Sequence, residues 1–236
     1  MKNVLLKYLF EFLVVFLGIL LSFYIDSKVK LNVEIENKNQ LLTQLSEVIS
    51  EDLEQLKIID STLFSVEKSL DYLIDDLLSK SKIDSRELAV NHLNINSRMS
   101  LSFFPNSGIY NELLSDGAMK LIGSKKLRTT ISLIYEHNSK GSQAVNRSLD
   151  DFNETFNSYF YPYIQTRTTD EKSKTIYADT KLIYHKISPD YYKANSAFGL
   201  YCGANNFVSN YRGLLSVFKE EYNNLLQLIQ IELNQS

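Results

Sequence analysis

Residues 41–78 read LLTQLSEVISEDLEQLKIIDSTLFSVEKSLDYLIDDLL. Leu42, Leu45, Ile49, Leu53, Leu56, Ile59, Leu63, Val66, Leu70, Leu73 and Leu77 recur at steps of three or four. That spacing lines one face of an α-helix with apolar side chains and predicts a helix over about 38–80. No Gly or Pro occurs between residues 26 and 104, so the helix is expected to extend back as a continuous rod. A break is conceivable only at the polar run Asn37 to Asn39. Unbroken, residues 26–78 would reach about 80 Å at ~1.5 Å per residue.

Upstream lies VLLKYLFEFLVVFLGILLSFYI, Val4 to Ile25, whose uncharged core, Phe12 to Ile25, is 14 residues long. A helix needs roughly 20 mostly apolar residues to cross a bilayer. A crossing helix must therefore extend back through Glu11 toward Lys7, and residues 1–27 are expected to be a transmembrane anchor in a lipid bilayer. The core ends in Phe23, Tyr24 and Ile25, where a cleaved signal peptide would carry small residues, which favours an uncleaved anchor over a signal peptide or a buried soluble helix. Lysines flank both sides (Lys2 and Lys7 before, Lys28, Lys30 and Lys38 after) and do not decide orientation. The short N-terminal tail favours the amino terminus inside and the body outside.

Two readings of Glu11 stand. A carboxylate within an apolar span can take up a proton, bind an ion or pair with a partner helix. Alternatively, Glu11 pairs with Lys7 one turn away and both reach for the interface. Gly18 with Ser22 forms a small-xxx-small pattern that allows close helix packing. Glu11, Lys7 and Gly18 are the candidate membrane site.

Downstream, residues 83–106 read as irregular, ending in the loop signal of Pro105 and Gly108. Ser107 is the expected N-cap of a helix over about 107–116, and Asp116-Gly117 its stop, with Gly117 left-handed. A second long helix is expected over about 124–161, on the stripe Leu127, Ile131, Ile134, Val145, Leu149, Phe152, Phe156 and Phe160. Asn138 and Gly141 fall on that stripe without being apolar, which predicts a kink. A third is expected over about 205–235, through Phe207, Tyr211, Leu214, Phe218, Tyr222, Leu225, Ile229 and Leu233. Residues 163–204 lack a period, and TIYADTKLIYHKI there reads as a short hairpin or a covering loop. The expected fold is all-α, with a transmembrane helix, a long helical stalk, and an extramembrane bundle within residues 28–236.

The 8 Gly and 3 Pro of the 236 residues disfavour turn-rich β folds. A net charge of −3 without a basic block leaves no footprint for nucleic acid. The single Cys202 excludes an intrachain disulfide. His92, His137 and His185 lie in separate segments without metal-ligand spacing, and the phosphate-loop, dinucleotide and nucleophile-elbow patterns are missing. No catalytic, cofactor-binding or metal residue is therefore expected. Asp75-Asp76 and Asp150-Asp151 read as solvated faces. Tyr159-Phe160-Tyr161-Pro162-Tyr163 reads as core closing the end of a helix, or as an exposed patch.

Two segments carry a resemblance. FEFLVVFLGILLSFYID, through Glu11, Leu13, Val14, Gly18, Ile19 and Leu20, resembles the anchor of an uncharacterised family of bacterial single-pass envelope proteins. There a polar turn is followed by an aromatic–acidic pair, whereas Asp26-Ser27-Lys28 stands here. YNELLSDGAMKLIGSKKLRTTISLIY, through Tyr110, Leu113, Gly117, Leu121, Ile122, Leu127, Arg128 and Tyr135, is similar to that family's mid-chain stretch. The resemblance implies a cell-envelope protein in the bacterial inner membrane and adds weight to Glu11, without supplying catalytic residues. The expected function is a non-enzymatic scaffold or interaction subunit, acting as a homo-oligomer or with another membrane protein. The alternative is a sensor-like ligand-binding module that signals through a membrane partner. A hydrolase is the remote third.

Overall fold

One α-helix, α1, runs from Lys2 to Leu78 without interruption. At ~1.5 Å per residue its 77 residues reach about 115 Å. The computed structural model describes residues 2–79, 84–169 and 180–235, with side chains from Tyr8 onward. The helix does not break at Asn37 to Asn39, because nothing there removes a backbone donor. Its first part, Tyr8 to Glu34, is solvent-exposed throughout. From Lys38 onward one face is buried, and the predicted stripe is inside except for the half-buried Leu53 and Leu77.

The fold is all-α apart from one hairpin. The other helices are α2 (Ser85–Arg98), α3 (Gly108–Ser115), α4 (Lys125–Ser132), α5 (Ser139–Phe160), α6 (Pro189–Tyr192) and α7 (Asn195–Gln235). A 3₁₀ turn, Ala118–Leu121, precedes α4, and a π-helical segment, Leu133–Asn138, joins α4 to α5. Strands β1 (Ile164–Thr168) and β2 (Thr180–His185) pair antiparallel with a bulge at Gln165/Thr166. The hairpin reading of this region holds for β2, while residues 170–179, including the start of TIYADTKLIYHKI, lie outside the described residues.

Helices α1 and α7 form the frame and lie antiparallel along one seam. Polar contacts cross that seam at four heights. The Lys38 ammonium meets Glu232 Oε1 at 3.4 Å. Tyr222 Oη donates to Asp52 Oδ2 at 2.7 Å. Arg212 Nε donates to Asp60 Oδ1 at 2.7 Å, and its Nη1 reaches Glu67. Asn205 Nδ2 donates to Asp71 Oδ1 at 2.7 Å. Between these rungs the seam is filled by Leu42, Leu45, Ile49, Leu56, Leu63 and Val66 from α1 and Val208, Leu215, Phe218, Leu225 and Ile229 from α7.

Three sequence expectations change. Within residues 83–106, expected to be irregular, α2 occupies Ser85–Arg98, with Asp84 accepting the Glu87 N–H at 2.7 Å as its N-cap, and 99–106 are irregular as expected. Its buried face is Leu88, Ala89, His92 and Ile95, in which a histidine and an alanine conceal the helical period. The third long helix begins at Asn195 rather than near 205, since Ala197, Tyr201 and Ala204 carry its stripe upstream. Ser107 stands at the N-cap position of α3, but its ψ of 8° keeps the hydroxyl from capping, and Asn106 Oδ1 instead accepts the Gly108 N–H at 3.1 Å.

Other expectations hold. Gly117 adopts φ 72° after α3, a conformation that glycine reaches without a Cβ penalty. The second long helix starts near 124 as expected, and its cap there is Ser124, which accepts the Leu127 N–H at 3.2 Å. At the expected weak point the helix widens into the π segment, and the stripe shifts by one position over the next two turns only, since Leu149, Phe156 and Phe160 keep their predicted inward positions. Ser142 and Asn146 are then buried where the uncorrected period would have placed Gly141 and Val145.

The Lys38–Glu232 rung yields a prediction. Glu232→Gln leaves a buried ammonium without its counter-charge and should cost about 3–5 kcal/mol. Adding Lys38→Met to that variant should recover more than half of the loss. Urea unfolding of both variants in detergent, followed by far-ultraviolet circular dichroism, measures the difference.

Candidate functional site

The chain between α2 and α3 passes through the core. Met99, Leu101 and Phe103 are buried there, so their peptide groups must find partners within the protein. The Phe103 N–H donates to Tyr211 Oη at 2.7 Å. The Phe103 carbonyl accepts from Asn146 Nδ2 at 3.1 Å and Ser142 Oγ at 3.3 Å. The Asn106 N–H donates to Asp52 Oδ2 at 3.2 Å, the same oxygen that accepts from Tyr222. The Phe103 ring stands edge-on to Phe218 and Tyr222, at centroid distances of 5.4 and 6.4 Å.

The π segment supplies the other wall of this centre. Tyr135 is buried and stacks on Tyr110 at 5.0 Å. Tyr110 Oη donates to Glu136. Asn138 Nδ2 donates to Glu221 on α7. Within four residues the wider turn thus directs Tyr135 and Glu136 onto Tyr110 and Asn138 onto Glu221, a use to which π turns at functional sites are often put.

Burial raises the Asp52 carboxyl above its ordinary range, and the hydrogen bonds from Tyr222 and Asn106 offset part of the rise. Burial, then the neighbouring Tyr135 and Asp52, also raise the Tyr222 hydroxyl. Burial first, then Asp52, raises Tyr135. Tyr110 is pushed up to about 12 by burial and by its bond to Glu136. The tyrosines are therefore neutral donors at any ordinary pH. Chemically, the centre is a carboxyl held between two donors in an aromatic shell, suited to fixing a loop.

Two further polar features flank it. His92 is fully buried, stacked on Phe156 at 5.0 Å and tilted against Phe160 at 4.2 Å. Burial lowers its pKa from 6.5 to about 3. Glu232 accepts from the Gly123 N–H at 2.7 Å and the Ser124 N–H at 3.0 Å. Burial alone would raise its pKa, but those two N–H groups and the Lys38 ammonium outweigh burial and hold it below the usual value. One carboxylate thereby ties α1, α7 and the start of α4 together.

The three residues singled out from the sequence lie apart from this centre. Glu11 and Gly18 sit on the exposed part of α1, with Glu11 about 40 Å along the axis from Lys38. A Cβ at Gly18 would meet nothing within 4 Å. Lys7 is helical one turn before Glu11, and its side chain lies outside the described residues. Of the other motifs, Asp76 accepts from Tyr192 Oη at 3.0 Å, so that acidic pair does more than face solvent. The aromatic run divides: Phe160 is buried and Tyr161 exposed, while Tyr163 and Tyr159 both pack on Tyr191. Among the described residues, no group of three His, Cys, Asp or Glu side chains could hold a metal ion.

A groove of about 380 Å³ opens on the outer side of the α1–α7 seam, lined by Lys57, Asp60, Arg212 and Lys219 over Leu56 and Leu215. Arg212 also lies over the Phe64 ring at 4.8 Å. No protein-family model, no curated protein and no solved structure matches the chain.

Two predictions follow from the buried centre. Tyr222→Phe removes one donor from a buried carboxyl and should cost about 1–3 kcal/mol, read by urea unfolding. His92 binds its proton in the unfolded chain before it does so in the folded one. Stability is therefore retained above pH 6.5 and lost as pH falls from 6.5 toward about 3. Relative to His92→Leu, the unsubstituted protein should lose roughly 1.4 kcal/mol per pH unit in that window and nothing above it. Unfolding curves at several pH values provide the check.

Proposed function

We propose that this chain is a non-enzymatic single-pass protein of the bacterial cell envelope. Its exposed apolar segment crosses the inner membrane, its bundle stands on the periplasmic side, and it serves as a scaffold or interaction subunit in a homo-oligomer or with another membrane protein. The single observation that supports this reading is the form of α1. A helix apolar enough over 18 residues to cross a membrane, and with none of that window buried, continues without a break into the frame of a packed bundle. Such a helix holds a folded body at a fixed height and orientation above a bilayer, as a positioning element requires.

Geometry adds a detail. Between Ile25 and the first buried residue, Lys38, lie 12 residues, about 18 Å of helix. The headgroup layer on one side of a bilayer is about 5–7 Å thick. A stretch of bare helix therefore separates the bundle from the membrane surface, leaving room for a partner. The resemblance of the anchor to single-pass envelope proteins fits the same picture.

A sensor-like reading also draws support, from the buried pair that Asp52 of the same rigid helix makes with Tyr222 of α7. A ligand that raises the melting temperature of the detergent-solubilised protein would favour it, and a flat screen would count against it.

Native mass measurement in detergent tests the leading reading, with an expected mass above one chain, from extra copies or a co-purifying membrane protein. A strict monomer without companions would overturn it. Glu11→Gln should keep the protein in the membrane and reduce partner recovery several-fold. Unchanged recovery would return Glu11 to a local pair with Lys7.

A further inference from the structure

Because α1 is unbroken from Lys2 to Leu78, its faces can be followed from the apolar segment into the bundle. At about 100° per residue, Glu11, Gly18, Ser22, Ile25, Val29 and Val33 lie within about 40° of one line. The buried residues Lys38, Leu42, Leu45 and Ile49 lie on the opposite side of the helix. The line therefore faces away from the protein's own bundle.

Val29 and Val33 are the informative members. They are 57% and 59% exposed. The bundle cannot cover them, since it packs on the other side. Acyl chains do not cover them on the reading under Proposed function, because they stand about 6 and 12 Å beyond Ile25, at the height of the headgroup layer and past it. The charges nearby are held off the line: Lys30 pairs with Glu34 at 3.9 Å and Lys28 lies over the Tyr24 ring at 5.8 Å. Past Val33 the same line continues as Glu36, Gln40, Glu47 and Glu54, all exposed. The apolar line ends where the bundle begins.

We propose that the line from Gly18 to Val33 is the interface of a parallel two-fold dimer, in which α1 of a second copy of this chain covers Ile25, Val29 and Val33. Three features select a second copy. In a two-fold pair each residue near the axis meets itself, so the line must carry no charge over its length, and from Gly18 to Val33 it carries none. Two copies with the same anchor stand at the same height, so Val29 faces Val29 without further adjustment. The two bundles project in opposite directions from the axis, so neither blocks the approach of the other. Above Val33 the facing acids Glu36, Glu47 and Glu54 repel, and the helices diverge. The inference rests on the reading of residues 8–25 as a membrane span and names the contact that the scaffold would use.

Cysteine cross-linking in native membranes tests it. Cys202→Ser removes the only natural thiol. Ile25→Cys, Val29→Cys and Val33→Cys are then placed singly on the line, and Leu31→Cys and Glu34→Cys off it, in the full chain. Oxidation with copper–phenanthroline should give disulfide-linked dimers at Ile25 and Val29 at least five-fold more abundant than at Leu31 or Glu34. A flat pattern, a maximum off the line, or adducts containing a different protein would overturn the second copy as occupant. Native mass on the same membranes separates the two failures. A mass above one chain together with a flat cross-linking pattern discards this interface while the scaffold reading stands. A strict monomer discards both.

Discussion

The register of α1 against α7 is the constraint on which the rest of the bundle depends. Two apolar stripes of some forty residues can slide by seven positions and still bury leucine on leucine. Hydrophobic burial alone therefore defines the seam but not the height at which the helices meet. Polar contacts supply the height. A slip by one heptad would leave Lys38 and Glu232 buried apart, separate Asp52 from Tyr222, and strand Arg212 from Asp60 and Glu67. Each buried mismatch carries a desolvation penalty that a shifted leucine does not.

Register in turn creates the central site. The segment from Met99 to Ser107 enters the core only because Tyr211 on α7 and Asp52 on α1 meet its N–H groups at the same level. Its carbonyl at Phe103 depends on Ser142 and Asn146 of α5, and these face inward over the two turns that follow the π segment. A wider turn in one helix, two polar residues on its inner face and a buried acid on another helix are thus one device. Together they let a non-helical segment cross the core without an unpaired peptide at Phe103.

Much of this was legible as period and punctuation. The α1 stripe, the Gly117 turn, the helix start near Ser124 and a weak point around Asn138 follow from spacing and backbone chemistry. What escaped the pattern did so for a specific reason. Ile49, Asp52 and Leu56 step by three and four just as Ile49, Leu53 and Leu56 step by four and three, and hydrophobicity favours Leu53 for the inward position. The structure buries Asp52 and leaves Leu53 half-exposed. The same substitution recurs at Glu232 beside Leu233. A charged residue displaces the adjacent leucine wherever the partner helix offers a matching group, and that match is a long-range fact that a local window does not contain. Helix α2 escaped for a related reason, since its inner face uses His92 and Ala89 in place of large aliphatic residues.

The two ends of α1 answer to different solvents, and this bears on what the helix can transmit. In the bundle its orientation is set by rungs at four heights, so rotation about its own axis would break several buried polar contacts at once. Toward the amino terminus, nothing among the described residues buries 8–34, and rotation there is resisted by the helix's torsional stiffness and by whatever surrounds it. No glycine or proline lies between Gly18 and Pro105 to decouple the two. The face presented at Val29 is therefore dictated by Lys38, Asp52 and Asp60, and a partner bound near Val29 would act on the bundle through the same rungs.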